Sequence, residues 1–151
     1  MTVAYVGIGS NLEQPAEQVR RAFDELARVP HTRLVRKSSL YRTAPVGHEQ
    51  QPDFVNAVAQ LETALPAERL LSELQAIEKS HGRERSFKNA PRTLDLDLLL
   101  FGDAQLNSPQ LTVPHPRMHE RAFVLKPLLE IAPQLPFSLE DCAGQRIERI
   151  D

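Results

Sequence analysis

Between Pro91 and Gly102 the chain reads P-R-T-L-D-L-D-L-L-L-F-G, and few folds accommodate two carboxylates inside so apolar a run. Leu94, Leu96, Leu98 and Leu100 alternate with Thr93, Asp95, Asp97 and Leu99, the period of two that marks a strand. Asp95 and Asp97 then share one face, about 6 to 7 Å apart along the chain. An ionised carboxylate in apolar surroundings must find a cation or take up a proton. From spacing alone two readings stand: a cation site for one metal cluster, or an edge strand whose outer face carries two solvated aspartates.

The leucine face of such a strand needs a covering layer, and the rest of the chain is long enough to supply one. At 151 residues a single domain, 1–151, is expected. A chain of that size buries roughly 70% of the surface it exposes when unfolded. Cys142 is the only cysteine, so an internal disulfide and a cysteine-based metal site are excluded and a reducing, cytoplasmic setting is expected. The opening M-T-V-A-Y-V-G-I-G-S-N has no basic leader and only a short apolar run, unlike a signal peptide or a membrane span. A net charge of −2 gives no overall attraction to nucleic acid or to an anionic membrane. Anion handling must therefore be local.

In chain order, residues 2–8 form a first expected strand, with Ala4, Val6 and Ile8 on one face and Val3, Tyr5 and Gly7 on the other. Glycine here marks either a bulge or the close approach of a ligand or another backbone. Ser10 or Asn11 is a candidate cap for a helix over residues 15–29, its stripe made by Val19, Ala22, Phe23 and Leu26. Residues 32–43, with Arg33, Arg36, Lys37 and Arg42, suit a charged edge strand, and residues 44–52 a loop. A third strand over residues 53–62 places Val55, Ala57, Ala59 and Leu61 on one face and Phe54, Asn56, Val58 and Gln60 on the other. Asn is disfavoured in mid-strand, so Asn56 either bonds a neighbouring loop or presents its amide to a planar heterocycle. Residues 66–80 read as an amphipathic helix on Leu70, Leu71, Leu74 and Ile77, stopped by Gly82.

The resulting order is strand, helix, strand, strand, helix, strand. It predicts an α+β fold with a ferredoxin-like βαββαβ core, a mostly antiparallel sheet with helices on one face and a C-terminal segment on the other. The first strand then lies between the third and fourth, so that Asp95 and Asn56 flank Gly7, two strand spacings or on the order of 10 Å apart. Leu99 and Phe101 point to the same side, and the segment from Asp103 onward must cover its outer end. Pro127 and Pro133 argue against one long helix there. His115 and His119 have a zinc-like spacing, but Pro114 and Pro116 argue against a regular helix at His115.

Residues 81–92 concentrate Arg83, Arg85, Lys88 and Arg92 immediately before the aspartates. Carboxylates for a metal beside guanidinium forks for oxyanions are what a metal-polyphosphate requires. A solvated basic loop is the simpler alternative. No P-loop motif and no protein-kinase glycine loop is present.

These residues carry a family resemblance. P-R-T-L-D-L-D-L-L-L-F-G, together with Y-V-G-I-G-S-N-L, S-S-L-Y-R-T-A-P-V-G and L-T-V-P-H-P-R-M-H-E-R-A-F-V-L-K-P-L, resembles the 6-hydroxymethyl-7,8-dihydropterin pyrophosphokinases of folate biosynthesis, in order from residue 1 to about residue 137. The resemblance implies Mg²⁺-dependent transfer of pyrophosphate from ATP to the hydroxymethyl group of the pterin, with attack on the β-phosphorus and release of AMP. It implies that Asp95 and Asp97 hold two Mg²⁺ ions, that Arg83 and Arg85 lie on a loop closing over ATP, and that Arg92, His115 and Arg121 contact phosphates. It places Gln75, Leu98, Leu111 and Thr112 around the nucleotide, and Thr43, Pro45, Val46, Phe54, Asn56 and Phe123 around the pterin. Asn89 and Pro116 depart from the family's familiar aromatic positions. A site with two Asp and several Arg but no evident nucleophile predicts no covalent enzyme intermediate. A monomer with small-molecule partners, and neither nucleic acid nor membrane, is expected. The rival readings are a Mg²⁺-dependent phosphohydrolase and a non-enzymatic ferredoxin-like ligand-binding module.

Overall fold

A computed structural model of the chain describes residues 1–12, 14–44, 52–82 and 94–151. Its elements are β1 (Thr2–Ser10), α1 (Pro15–Leu26), β2 (Thr32–Lys37), β3 (Tyr41–Thr43), β4 (Phe54–Thr63), α2 (Ala67–Ser80), β5 (Asp95–Phe101), β6 (Leu106–Asn107), β7 (Thr112–Val113), α3 (Ala122–Ile131) and β8 (Ile147–Arg149). The strands β5-β1-β4-β3-β8 form an antiparallel sheet in that order, with β2 also paired to β4. The first strand thus lies between the third and fourth of the predicted core, as a ferredoxin-like arrangement requires.

Both faces of the sheet are covered, which explains why its strands alternate apolar residues for two different layers. On one side Ala4, Val6, Ile8, Val55, Ala57, Ala59, Leu61, Leu96 and Leu98 pack against Val19, Ala22, Phe23 and Leu26 of α1 and Leu70 and Leu74 of α2. On the other, Tyr5, Val58 and Leu99 pack against Met118 and against Ala122, Val124, Leu125, Leu128 and Ile131, the buried side of α3. His81, at the end of α2, joins the two helices of the first layer: its ring nitrogens meet the side-chain oxygens of Gln18 and Glu25 on α1.

Several boundaries differ from the sequence reading. The expected single strand over residues 32–43 is split, because Ser38 leaves the ladder and bonds Val58 twice: its N–H donates to the Val58 carbonyl and its Oγ accepts from the Val58 N–H. Neither Ser10 nor Asn11 caps α1. The N-cap is Gln14, in the left-handed region at φ 62°, while Ser10 and Asn11 are fully buried, with Ser10 at the end of β1. α1 stops at Leu26, and Val29 is buried in the turn that follows. α3 runs through Pro127, which lacks only its own N–H donor, and ends before Pro133. Residues 147–149 extend the sheet at β3 instead of covering its face.

The largest correction lies in β5. Val6 pairs with Leu98 but Tyr5 pairs with Leu100, so Leu99 is an extra residue and the strand is bulged. Beyond the bulge the alternation inverts. Leu100 packs on the α3 side with Leu99, and Phe101 returns to the helical side, opposite to the predicted placement of both.

Candidate active site

The ladder around β1 fixes the geometry of the site. Gly9 is in register with Asn56 of β4 and with Asp95 of β5, and Gly7 with Val58 and Asp97. Residues opposite one another in an antiparallel ladder share a face, so Asn56, Asp95 and Asp97 all lie on the α3 side. Asn56 and Asp95 flank Gly9, not Gly7, because β1 continues through Ser10 and Gly9 is itself a ladder residue. The shift of two residues preserves the predicted face.

Each glycine leaves space for a specific neighbour. A Cβ on Gly7 would meet the Leu99 methyls at 3.4 and 3.6 Å, and one on Gly9 would stand 3.0 Å from Oδ1 of Asn56. The first glycine admits the bulge residue beneath α3. The second keeps the floor between Asn56 and Asp95 bare.

β5 is the edge of the sheet, and α2 secures the segment that carries the carboxylates. Glu78, buried at the end of the Leu70–Leu74 stripe, accepts the N–H of Leu96 at 2.8 Å through Oε2. Leu96 is the residue between Asp95 and Asp97. Glu78 was not singled out from sequence, although its position four residues after Leu74 put it on the apolar stripe.

The bulge brings the C-terminal segment to the same place. His115 donates its N–H to the carbonyl of Leu99 at 2.9 Å. Its Nδ1 accepts from the N–H of Arg117 at 3.2 Å, so the ring proton of the neutral imidazole sits on Nε2. Burial, with Arg121 and Arg117 nearby, holds the His115 pKa below its ordinary value against the opposing pull of Asp95. Arg121 is likewise lowered by burial and by Arg117, while Asp97 and Asp95 act in the other direction. These couplings place His115 within the field of Asp95 and Arg121 within the field of both carboxylates. The Arg121 guanidinium also lies 5.4 Å from the centre of the Phe123 ring at the start of α3.

At the other end, Nδ2 of the buried Asn56 donates to Oγ1 of Thr43 at 2.9 Å. Thr43 is in register with Phe54, so Thr43, Phe54 and Asn56 share the face of the aspartates. β3 is anchored from the second layer by Glu130 of α3, which accepts from the Tyr41 hydroxyl at 2.7 Å and from the N–H and hydroxyl of Ser39. Neither Tyr41 nor Glu130 was singled out from sequence.

Leu98 and Leu111 are buried in the helical layer, on the opposite side of β5 from the aspartates, Gln75 is exposed on α2, and Thr112 lies on β7. Residues assigned to the nucleotide thus occupy both sides of the β5 edge. Pro45, Val46, Arg83, Arg85 and Arg92 lie outside the described residues. A depression of about 380 Å³ beside Gln14, Glu17, Arg42 and Asp53 is on the helical side, away from these groups.

Among the described residues, no three His, Cys, Asp or Glu side chains converge as a metal site. A zinc site at His115 and His119 has no support, since His115 precedes the 3-10 turn Met118–Glu120 that contains His119. Two carboxylates are an oxygen-only donor set of the kind Mg²⁺ accepts when phosphates and water complete its shell. The residues present fit that ion.

Comparison with known proteins agrees with this chemistry. A family model described as 7,8-dihydro-6-hydroxymethylpterin-pyrophosphokinase matches residues 5–133. The chain is 49% identical to the 2-amino-4-hydroxy-6-hydroxymethyldihydropteridine pyrophosphokinase of Pseudomonas aeruginosa, across 97% of this chain and 95% of the relative. It is 47% identical to the protein of the same name from Haemophilus influenzae, across 89% and 84%. A crystal structure of an HPPK-DHPS in complex with substrates superposes with a TM-score of 0.70, covering 91% of this chain and 41% of that one. At 13% identity that likeness concerns the fold.

Proposed function

The chain belongs to the 7,8-dihydro-6-hydroxymethylpterin-pyrophosphokinase family, and from that premise we propose how its own residues serve the reaction. The enzyme is an ATP-dependent diphosphotransferase of folate biosynthesis that transfers a pyrophosphoryl group to hydroxymethyldihydropterin. The observation that carries the reading is the common face of Asp95, Asp97 and Asn56 across β5, β1 and β4, with His115 and Arg121 brought against it by α3 and the segment before it.

Asp95 and Asp97 would hold Mg²⁺. Bound there, the metal supplies neutralisation of phosphate charge and a template for the phosphate oxygens. His115, neutral with its proton on Nε2, donates a hydrogen bond to a phosphate oxygen, and Arg121 adds a forked, permanently charged donor. Arg83, Arg85 and Arg92 are assigned to the same phosphate chain. ATP lies across the β5 edge, its base toward Gln75, Leu98, Leu111 and Thr112 and its phosphates toward the aspartates.

The pterin occupies the Asn56 end. Asn56 reads the heterocycle edge, Phe54 and Phe123 offer aromatic faces, and Thr43, Pro45 and Val46 complete the wall. The hydroxymethyl oxygen then faces the phosphates across Gly9, where the absence of a side chain leaves the path open. Attack on the β-phosphorus with departure of AMP asks the protein for alignment and charge compensation and for no covalent intermediate. The enzyme is assigned as a cytoplasmic monomer of one domain, and no described helix is long and apolar enough to cross a membrane.

Product analysis tests the assignment. AMP should form from ATP only when both Mg²⁺ and the pterin alcohol are present. Release of inorganic phosphate without acceptor would indicate a phosphohydrolase, and pterin binding without turnover a binding module.

A further inference from the structure

Arg121 stands between the 3-10 turn Met118–Glu120 and the start of α3, in extended backbone at φ −119° and ψ 110°. A residue in that position has no ladder of its own, so the peptide groups on either side of it must find partners elsewhere. Its N–H donates to the Met118 carbonyl at 3.2 Å, and its carbonyl accepts from Val124 and Leu125, both at 3.0 Å. In extended backbone the carbonyl before a residue and the N–H after it point together to the opposite side. One side chain takes both. Nε2 of Gln145 donates to the Glu120 carbonyl at 2.7 Å, and its Oε1 accepts the N–H of Ala122 at 2.9 Å. That N–H is one of the helix-start donors that α3 itself leaves without a partner. Because one partner is a carbonyl and the other an N–H, only one sense of the amide satisfies both.

The clamp is itself held. The Gln145 N–H donates to the Cys142 carbonyl at 2.9 Å, and the thiol of the buried Cys142 points to the His119 carbonyl at 3.7 Å. Further along, Ile147 joins the sheet opposite Thr43. Gln145 is nevertheless exposed and belongs to neither core layer.

We propose that Gln145 is a positioning residue for the transfer reaction: its amide fixes the backbone on both sides of Arg121 and so holds the guanidinium to the phosphate chain of ATP. The inference rests on the reading that Arg121 contacts the phosphates. Gln145 acts through the backbone and needs no contact with either substrate. An arginine side chain loses much rotamer freedom when it binds, and a fixed Cα–Cβ direction removes part of that cost in advance.

Steady-state kinetics of Gln145→Met, Gln145→Glu, Arg121→Ala and the Gln145→Met/Arg121→Ala double variant, with melting curves for each, test it. Gln145→Met keeps the length of the side chain and removes both polar atoms. Gln145→Glu keeps an oxygen for Ala122 but sets a second oxygen against the Glu120 carbonyl. Each should melt near wild type and lower kcat/KM for ATP about fivefold, the scale of one lost hydrogen bond, with a smaller change in the pterin KM. In the Arg121→Ala background Gln145→Met should add less than about twofold, because the group it positions is gone. The proposal is overturned if either Gln145 variant keeps the wild-type kcat/KM for ATP while Arg121→Ala loses it. It is also overturned if Gln145→Met costs the same factor in both backgrounds, if the pterin KM rises as much as kcat/KM for ATP falls, or if the Gln145 variants fail to fold, which would make the residue part of the scaffold. A wild-type kcat/KM in Arg121→Ala overturns the reading of Arg121 and the proposal with it.

Discussion

The carbonyl oxygen of Leu99 accepts the backbone N–H of His115 across 2.9 Å, and this bond docks the C-terminal segment onto the bulge of β5. The Leu99 side chain, 1% exposed, fills the space that Gly7 leaves beneath α3. Leu99→Ala should therefore cost about 2–5 kcal/mol by cavity formation, read as a lower urea midpoint. Because the cavity opens beneath the stretch of backbone whose carbonyl holds His115, activity should also fall below wild type at urea concentrations where the variant is still folded.

Gly9 and Gly7 should respond differently to the same substitution. A methyl at Gly9 stands 3.0 Å from an amide oxygen whose nitrogen is already committed to Thr43, so Gly9→Ala must displace the recognition group. A methyl at Gly7 meets leucine methyls at 3.4 Å or more, which can yield. Gly9→Ala should raise the pterin KM several-fold, at a stability cost of about 1 kcal/mol. Gly7→Ala should leave the pterin KM near wild type. Equal effects on the two would contradict the placement of Asn56 over Gly9.

His81 ties α2 to α1 through Gln18 and Glu25, with its own side chain fully buried. Replacing the ring with Ala leaves two polar partners facing a void, and such losses cost about 1–3 kcal/mol per buried group. His81→Ala should lower the melting temperature. His81→Gln, which retains polar atoms, should recover part of the loss. Identical melting of wild type and His81→Ala would exclude the bridging role.

Which parts of this architecture were legible in the sequence follows from the physics of each signal. Period-two alternation in β1, β4 and the first half of β5 had one apolar face and one marked by Gly, Asn or Asp, so strand order, facing and the shared surface of Asn56, Asp95 and Asp97 could be read. The bulge could not. Leu98, Leu99, Leu100 and Phe101 are all apolar, and a run with two apolar faces carries no information on which residue is extra. The split between β2 and β3 was hidden because a serine hydroxyl substitutes for a ladder partner at Ser38. Glu78, Glu130 and Tyr41 were missed because a polar side chain bonded within the fold is indistinguishable from a solvated one until its partners, here Leu96, Ser39 and Tyr41, are brought from distant elements. The phosphate and pterin assignments came from the family resemblance, which supplied identities that spacing alone left open.

The Glu130–Tyr41 bond should appear in the pH dependence of stability at both extremes. Burial raises the Glu130 pKa, but the Tyr41 and Ser39 hydrogen bonds outweigh it and hold the carboxyl below its ordinary value of 4.5. Its contribution is present above about pH 4.5 and is lost as pH falls through the depressed folded value. Burial, and then Glu130, push Tyr41 up from 10.0 to about 12, so its contribution is complete below pH 10 and is lost as pH rises toward 12. The stability difference between wild type and Glu130→Gln should shrink on acidification from neutral pH. That between wild type and Tyr41→Phe should shrink on the alkaline side. Differences independent of pH, measured by urea unfolding across the range, would remove Glu130 and Tyr41 as the titrating pair.

Asp97 separates the cation-site reading of the two carboxylates from the solvated-edge reading more sharply than any other position. It stands in register with Gly7, and its charge acts on Arg121 from across the site. If it holds Mg²⁺, Asp97→Ala removes half of the carboxylate set and should lower kcat/KM by about a hundredfold or more, the scale of losing one electrostatic stabiliser in an active site. Asp97→Asn should retain measurable activity but require more Mg²⁺ for half-maximal rate, since a neutral amide oxygen is the weaker ligand for a hard cation. Both variants should melt as folded proteins, with the pterin KM changed far less than in Asn56→Ala. A Mg²⁺ requirement unshifted in Asp97→Asn, measured by titrating the metal at saturating ATP and pterin alcohol, would return the pair to two aspartates on an exposed strand.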